Sequence, residues 1–398
     1  MGIYNEASLI MYPSGYKRGK IYCQKPTDGS GDITFSRAST ATRVNESGLI
    51  EEVASGVPRI DYSGGGCGKL LLEPQRTNLV TYSNDFSNAS WVKLNTTVSV
   101  NDATSPDGTT NADKITYNSG SGYVRSSAIV TAASVFSIFV KKIDFQFLQI
   151  FCTSDGGTVV NYDLTNIITG GAGADASGSI TDFGNGWILI EHSFLSSGTY
   201  GTGVVGIYRV DSLAAAAGTS STTEGSFYYY GAQLEEGSYP TSYIPTAGST
   251  VTRVKDAPSI TNLSTAIGTT NQYVWYVEMH LGSNGAGLSI EPLDITGNRI
   301  GIAAINRTQT TIVSGAGQVG TQILTYSDTD IVKVAAKYNA GTFNLFVNGV
   351  KASGSATTTA SGVLETFRLY SLFEAFKMQS TMLFPLLSDA QLLALTTI

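Results

Sequence analysis

The chain has 398 residues, of which 14% are charged and 42% hydrophobic, and its formal net charge is −7. Soluble domains usually carry about 25% charged residues and about 7% Gly, whereas Gly stands here at 44 positions. Disorder is excluded, because it needs low hydrophobicity and high net charge. So is a coiled coil, which is rich in Ala, Glu, Lys, Leu and Arg. Few charges among many Gly, Thr, Ser, Val and Tyr point to an all-β protein.

The start, Met1–Pro13, has no basic opening and no apolar core of the kind a leader carries. No apolar run nears the ~20 residues of a membrane span, so neither standard export nor a membrane partner is expected. The densest basic run, Tyr16-Lys-Arg-Gly-Lys20, holds three charges. That is too few for a phosphate-binding groove, and no nucleic-acid partner is expected. Ser63-Gly-Gly-Gly-Cys-Gly68 reads as flexible punctuation.

Strand-like runs follow at Val135–Val140, at Trp187–Ile190 after the turn Asp182–Gly186, and at Ser226–Tyr230. An extended, Pro-marked linker covers 237–258. Tyr273–Leu281 is a longer strand, and Phe343–Val347 runs into Asn348-Gly349, a strong hairpin signal. Ser388-Asp-Ala-Gln391 is a capping box, placing one short helix at the C-terminal end.

The resulting expectation is an N-terminal extended attachment segment followed by two β-sandwich (jelly-roll) domains. The divisions are 1–70, 71–250 and 251–398.

Several motifs imitate chemistry. Gly315-Ala-Gly-Gln-Val-Gly320 matches a dinucleotide fingerprint, but a strand-like run follows where a helix is required. Gly64–Lys69 lacks the first Gly of a phosphate loop, and Leu70 replaces its Ser/Thr. His192 and His280 have no partner at metal or triad spacing and read as strand residues. Glu235-Glu236, Asp328-Thr-Asp330 and Glu291-Pro-Leu-Asp294 do not form the alternating acidic run of a β-sandwich glycosidase. Cys23, Cys67 and Cys152 are widely spaced and odd in number, so free thiols in a reducing cytoplasm are expected. The reading is therefore non-enzymatic: no catalytic residues, no metal, no cofactor, and no ligand-binding residue assigned.

Three stretches carry a resemblance. They are Phe35–Tyr62, Leu70–Leu79 with Tyr82–Phe86 and Trp91, and Gly231–Pro245 followed by Val251-Thr-Arg253. In that order they resemble a module of tailed-bacteriophage virion proteins, crAss-like phages included. The resemblance implies a carbohydrate-binding-module-like jelly roll between the second and third stretches. Lys337–Gly341, Leu345–Gly349 and Phe384–Thr396 resemble a concanavalin A/laminin G-like sandwich.

Arg37, Arg43, Arg59, Arg76 and Arg253 fall within these stretches, in polar sequence near Asp or Glu. Arg pairs bidentately with carboxylates and carbonyls, so these five read as staples for loops or subunit contacts. Trp187 reads as core. The Tyr228–Tyr230 run could stack on sugars, with one face buried by alternation.

What the resemblance implies is a short homotrimeric fibre or spike at the virion surface, assembled in the host cytoplasm. It would project from the capsid as a head fibre and dock on capsid or tail proteins through its N-terminal segment. It could also adhere to host or mucosal glycans. The alternatives are a tail fibre recognising host polysaccharide and a polysaccharide depolymerase.

Overall fold

The computed structural model describes residues 2–130, 133–153, 159–171, 176–194, 203–261, 263–268, 272–281, 286–292, 300–306, 309–314, 321–327, 331–357, 364–369 and 376–398. The all-β expectation holds. Helical structure among these residues is confined to the 3-10 turn Ile3–Glu6 and the short helices Leu263–Ile267 and Asp389–Thr396.

The chain forms two compact units. One gathers Met1–Glu46, Glu52–Gln75 and Val254–Ile398; the other holds Ser47–Glu51 and Arg76–Arg253.

The first unit is a sandwich of two antiparallel sheets. One sheet centres on Gln272–Leu281, paired to Ile331–Asn339 and to Phe376–Phe384. The other centres on Leu364–Leu369, paired to Ala257–Thr261 and Ala286–Pro292. Alternation drives the layering. Tyr273, Trp275, Val277 and Met279 enter the core between the sheets, while Val274 and Tyr276 enter a second cluster with Leu392 and Leu395 of the C-terminal helix. Burial on both faces explains why Tyr273–Leu281 is almost wholly apolar.

The capping box forms as expected, with the Ser388 hydroxyl accepting from the Gln391 amide and the Gln391 side chain accepting from the Ser388 amide. Asn348 and Gly349 take φ of 49° and 77° and turn Thr342–Val347 into Val350–Lys351. A two-residue turn with both φ positive matches the strand twist.

The N-terminal residues, expected to stand apart as an attachment segment over 1–70, lie inside this unit. Leu9–Met11 and Lys69–Leu72 both pair with Phe376–Phe384, and Ile33–Ser36 pairs with Ala257–Thr261. Leu9, Met11, Ile21, Ile33, Phe35, Leu70 and Leu72 are buried in the same core as the C-terminal strands. The Gly-rich stretch expected as punctuation is a hairpin turn between Ile60–Asp61 and Lys69–Leu72. It closes by curling the Gly65 and Cys67 carbonyls onto the Lys69 ammonium. The passages between units fall at 46/47, 51/52, 75/76 and 253/254. A local turn signal does not distinguish a hairpin from a linker, and a discontinuous unit leaves no local mark.

The second unit is also a two-sheet sandwich. Its front sheet runs Trp91–Leu94, Tyr123–Val130, Gly203–Val210, Phe147–Cys152, Val159–Asp163, Ile168–Gly170. Its back sheet runs Thr96–Thr104, Thr110–Tyr117, Gly225–Glu236, Ser134–Lys142, Trp187–Phe194, Ala176–Gly184. Val124, Ile150, Ile207, Phe136, Ile138 and Ile190 alternate into the shared core. On the other face of the back sheet a smaller cluster holds Ile50, Phe139, Trp187, Tyr230 and Tyr243. Trp187 is thus core, as expected, with its indole N–H donated to the Thr104 carbonyl at 3.1 Å.

Candidate functional site

The residues that make the three stretches recognisable assemble into two buried polar networks, one in each unit. In the first unit Asp256 is the keystone. Its Oδ1 accepts from Arg37 Nη1 at 3.0 Å, and its Oδ2 accepts from Arg59 Nη2 and from the Glu73 amide. Arg59 Nη1 donates to Glu73 Oε2 at 2.6 Å and to the Thr42 carbonyl. Arg37 also donates to the carbonyls of Ser39, Val53 and Ala54.

All four charged side chains are almost fully buried. Burial works against the Arg59 charge, but Asp256 and Glu73 outweigh it and raise the guanidinium pKa above its ordinary value. Four segments, each flanking a strand and up to 219 positions apart in sequence, are thereby tied together around one carboxylate. Arg43 donates to the Tyr16 hydroxyl at 3.0 Å.

In the second unit Asn78 does the same work with neutral groups. Its side chain accepts from the Val80 and Leu234 amides and donates to the Ala232 and Ile244 carbonyls, filling its hydrogen-bonding capacity while fully buried. Gln233 accepts from the Ile244 amide, and Glu235 accepts from the Thr241 amide at 2.8 Å. Asn84 accepts from the Gly231 amide and the Tyr243 hydroxyl.

The segment 237–247, the first half of the stretch 237–258 that reads as a linker, is therefore strapped to the sheet that precedes it. Arg76 lies over the Tyr239 ring at 4.8 Å. Gly237, at φ 134°, fits beneath it, since a Cβ there would sit 2.8 Å from Arg76 Nη2. Arg253 is buried on the strand Val251–Arg253, opposite Arg76.

The sequence reading of Arg37 and Arg59 as staples is borne out. It missed the keystones Asp256, Glu73 and Asn78. Nothing local distinguishes them from other polar loop residues, and their partners lie far away in sequence.

Among the described residues, an open cleft of about 130 Å³ lies on the second unit. Leu49, Pro106, Lys141, Phe183, Asn185 and Trp187 line it. The turn Asp182–Gly186 shapes one wall, with Asp182 accepting from the Gly184 amide and Asn185 at φ 53°. Asp107 shapes the other by accepting from Ser105, Thr109, Asn111 and Tyr230. Burial would raise the Asp107 pKa, but the hydrogen bonds from Ser105, Thr109 and Asn111 lower it.

The Lys141 ammonium donates to the Asn185 carbonyl at 2.9 Å. An ammonium has three donors, so it retains capacity for a ligand. The cleft is well below the 300–1,000 Å³ of a drug-sized site. It suits the edge of one ring with hydroxyl or carboxylate acceptors.

The remaining sequence candidates do not converge. His192 is fully buried on the core side of the strand Trp187–Phe194, 4.5 Å from the Phe194 ring, and burial drops its pKa to about 3. His280 is half-buried on Gln272–Leu281, in the other unit. Glu235 is buried in the strap, away from Glu236, which is exposed. Asp294, Gly315–Gly320 and Asp328–Asp330 lie outside the described residues, and the Glu291 side chain is likewise undescribed.

Cys23, Cys67 and Cys152 are free of disulfides. Cys23 donates to the Gly31 carbonyl, and burial, with Asp32 adding to it, pushes its thiol pKa to about 12. Among the described residues no group of His, Cys, Asp and Glu is placed to hold a metal ion, and no helix is long and apolar enough to cross a membrane.

No family model matches the chain, and no curated protein matches it. Solved structures with partial likeness include the carbohydrate-binding module of the Ruminococcus gnavus IT-sialidase bound to α2,3-sialyllactose. It is 15% identical, covers 35% of this chain and 91% of that one, and has a TM-score of 0.27. Domain 4 of the Geobacillus stearothermophilus extracellular arabinanase AbnA, in complex with arabinotriose, is 14% identical over 41% and 83%, with a TM-score of 0.28. Trypanosoma rangeli sialidase is 10% identical, with a TM-score of 0.28. There the match covers 72% of this chain and 60% of that enzyme. Likenesses of this size carry no inference about ligand or activity.

Proposed function

We propose that the chain is a non-enzymatic structural protein of a phage virion, a short homotrimeric fibre or spike projecting from the capsid as a head fibre. The observation that supports this reading is the fate of the polar residues in and beside the three stretches. Arg37, Arg59, Glu73 and Asp256 hold one sandwich, and Asn78, Asn84, Gln233 and Glu235 hold the other. A reaction centre leaves charged groups facing a cleft, with pKa values tuned to their task. These groups are instead spent on backbone and on one another. A pattern that encodes internal fastening suits a scaffold that displays surfaces.

Gold-labelled antibody against the chain, applied to intact particles, tests the placement. Labelling of the head is expected. Labelling confined to the tail overturns the head placement in favour of a tail fibre, and unlabelled particles overturn the virion role.

A glycan-adhesive role is favoured by the cleft beside Lys141, which offers donors next to the Phe183 ring. A glycan array read with the wild-type protein and with Lys141→Met tests it. Binding that falls in the variant is expected, and no binding at millimolar sugar refutes it. Release of reducing ends from host capsule would refute the non-enzymatic reading.

A further inference from the structure

Lys93 stands on the edge strand Trp91–Leu94 of the second unit, two places after Trp91 and on the same face of the strand. Its ammonium reaches back to the preceding loop. There it donates to the carbonyls of Phe86 at 3.0 Å, Ser87 at 3.1 Å, Asn88 at 2.9 Å and Trp91 at 2.8 Å. An ammonium has three donors, so the acceptors at this point outnumber the donors.

The loop is shaped to aim those carbonyls. Phe86 and Trp91 anchor its ends in the core, fully buried and with ring centroids 4.8 Å apart. The Asp85 side chain accepts from the Ser87 amide and hydroxyl, and the Asn88 side chain accepts from the Ser90 amide. The Trp91 amide closes the turn by donating to the Asn88 carbonyl at 3.1 Å. Carbonyl dipoles that converge on one point repel one another unless a cation stands there. Burial lowers the Lys93 pKa, with Asp85 opposing it, so the carbonyls hold the ammonium in place against a desolvation cost.

The ligand set defines the kind of ion. Ca²⁺ takes oxygens at about 2.3–2.6 Å and Mg²⁺ at about 2.0–2.1 Å, usually with carboxylates among them. The cage around Lys93 is wider, and its four ligands are neutral carbonyls. Carbonyl oxygens of this kind replace the hydration shell of potassium in channel filters, and potassium is close to ammonium in size.

We infer that the loop Phe86–Trp91 is a monovalent-cation site whose resident ion is the chain's own Lys93 ammonium, and that it takes free ammonium or potassium ions once that side chain is removed. The fold of this loop depends on a cation, and the chain supplies it from the next strand.

The test is the melting of the full chain by differential scanning calorimetry in ammonium, potassium, lithium and tetramethylammonium chloride at one ionic strength. The variants are Lys93→Ala and a control, Lys25→Ala, whose ammonium donates to the two carbonyls of Asn5 and Ala7. Each loss is read against the wild type in the same salt. Lys93→Ala should melt lower in lithium and tetramethylammonium, and should regain the loss, saturably, in ammonium and potassium. Its folding constant should rise about tenfold when the ion stands at about ten times its dissociation constant. The loss in Lys25→Ala should be the same in all four salts.

An equal loss for Lys93→Ala in the four salts overturns the inference, and so does the same ion ranking in the control. In crystals of Lys93→Ala soaked in rubidium chloride, an anomalous peak among the four carbonyls is expected, and no peak there refutes the site. Should Lys93→Ala not fold, Lys93→Gln replaces it, since its shorter chain leaves room for an ion and its amide adds an oxygen ligand. The same ion ranking in that variant supports the site, and melting indifferent to the ion refutes it.

Discussion

Replacing Asp256 by Asn keeps the shape of the side chain and removes its charge. In the native unit that carboxylate serves two buried guanidinium groups and one buried amide. After substitution, the buried guanidinium groups of Arg37 and Arg59 lose the carboxylate they share, while Glu73 still pairs with Arg59. Breaking a buried ion pair from one side costs about 3–5 kcal/mol, because the charge left behind has no water. Domains as a whole are stable by about 5–15 kcal/mol. For a unit of about two hundred residues, each kcal/mol moves the melting temperature by about 2–4 °C. Asp256→Asn should therefore lower the melting of the first unit by about 6–20 °C in differential scanning calorimetry. The transition of the second unit should stay in place. Replacing Arg37, Arg59, Glu73 and Asp256 together by apolar residues of similar volume should cost far less than the single change, since the penalty lies in the unpaired charge. A single-variant loss under about 1 kcal/mol would refute the keystone role.

Three further outcomes follow from the same physics. His192 is held neutral with its pKa near 3, while the unfolded chain titrates near 6.5. Below pH 6.5 the unfolded state thus binds the extra proton, and stability falls as pH drops, by about 1.4 kcal/mol per unit down to about pH 3. Urea unfolding at pH 7 and pH 5 should show a loss of about 2 kcal/mol from this group, and His192→Leu should remove it; an unchanged pH slope in the variant contradicts the assignment. Asn78→Ala orphans buried backbone groups, each costing about 1–3 kcal/mol, and chemical denaturation should register at least that loss, whereas a neutral change would sink its role in the strap. Met11→Ala should cost about 2–5 kcal/mol, as expected of a buried core side chain, and a value near zero would mean that the N-terminal residues are not part of the fold.

Much of this architecture is legible in the residues themselves. Tyr273–Leu281, Val135–Val140 and Trp187–Ile190 fall within strands, and the Ser388 box and the Asn348-Gly349 turn form as local chemistry dictates. Propensity, alternation and turn geometry act over a few residues, and there sequence reasoning succeeds. The N-terminal segment shows its limit. Leu9–Met11 and Lys69–Leu72 find their places on Phe376–Phe384 through pairings more than 300 positions apart, and no periodicity records that. The buried networks fall between these cases. Arg37 and Arg59 advertise a need for carboxylate partners, but Asp256 and Glu73 are identified as those partners only once the chain has folded.

On the proposed function, this chain is a surface component built into a virus particle. Quantitative mass spectrometry of gradient-purified particles from an infected culture tests it most directly. The full chain is expected in intact particles at a fixed copy number divisible by three. Its absence from particles, with the chain recovered only from the soluble lysate, would contradict it.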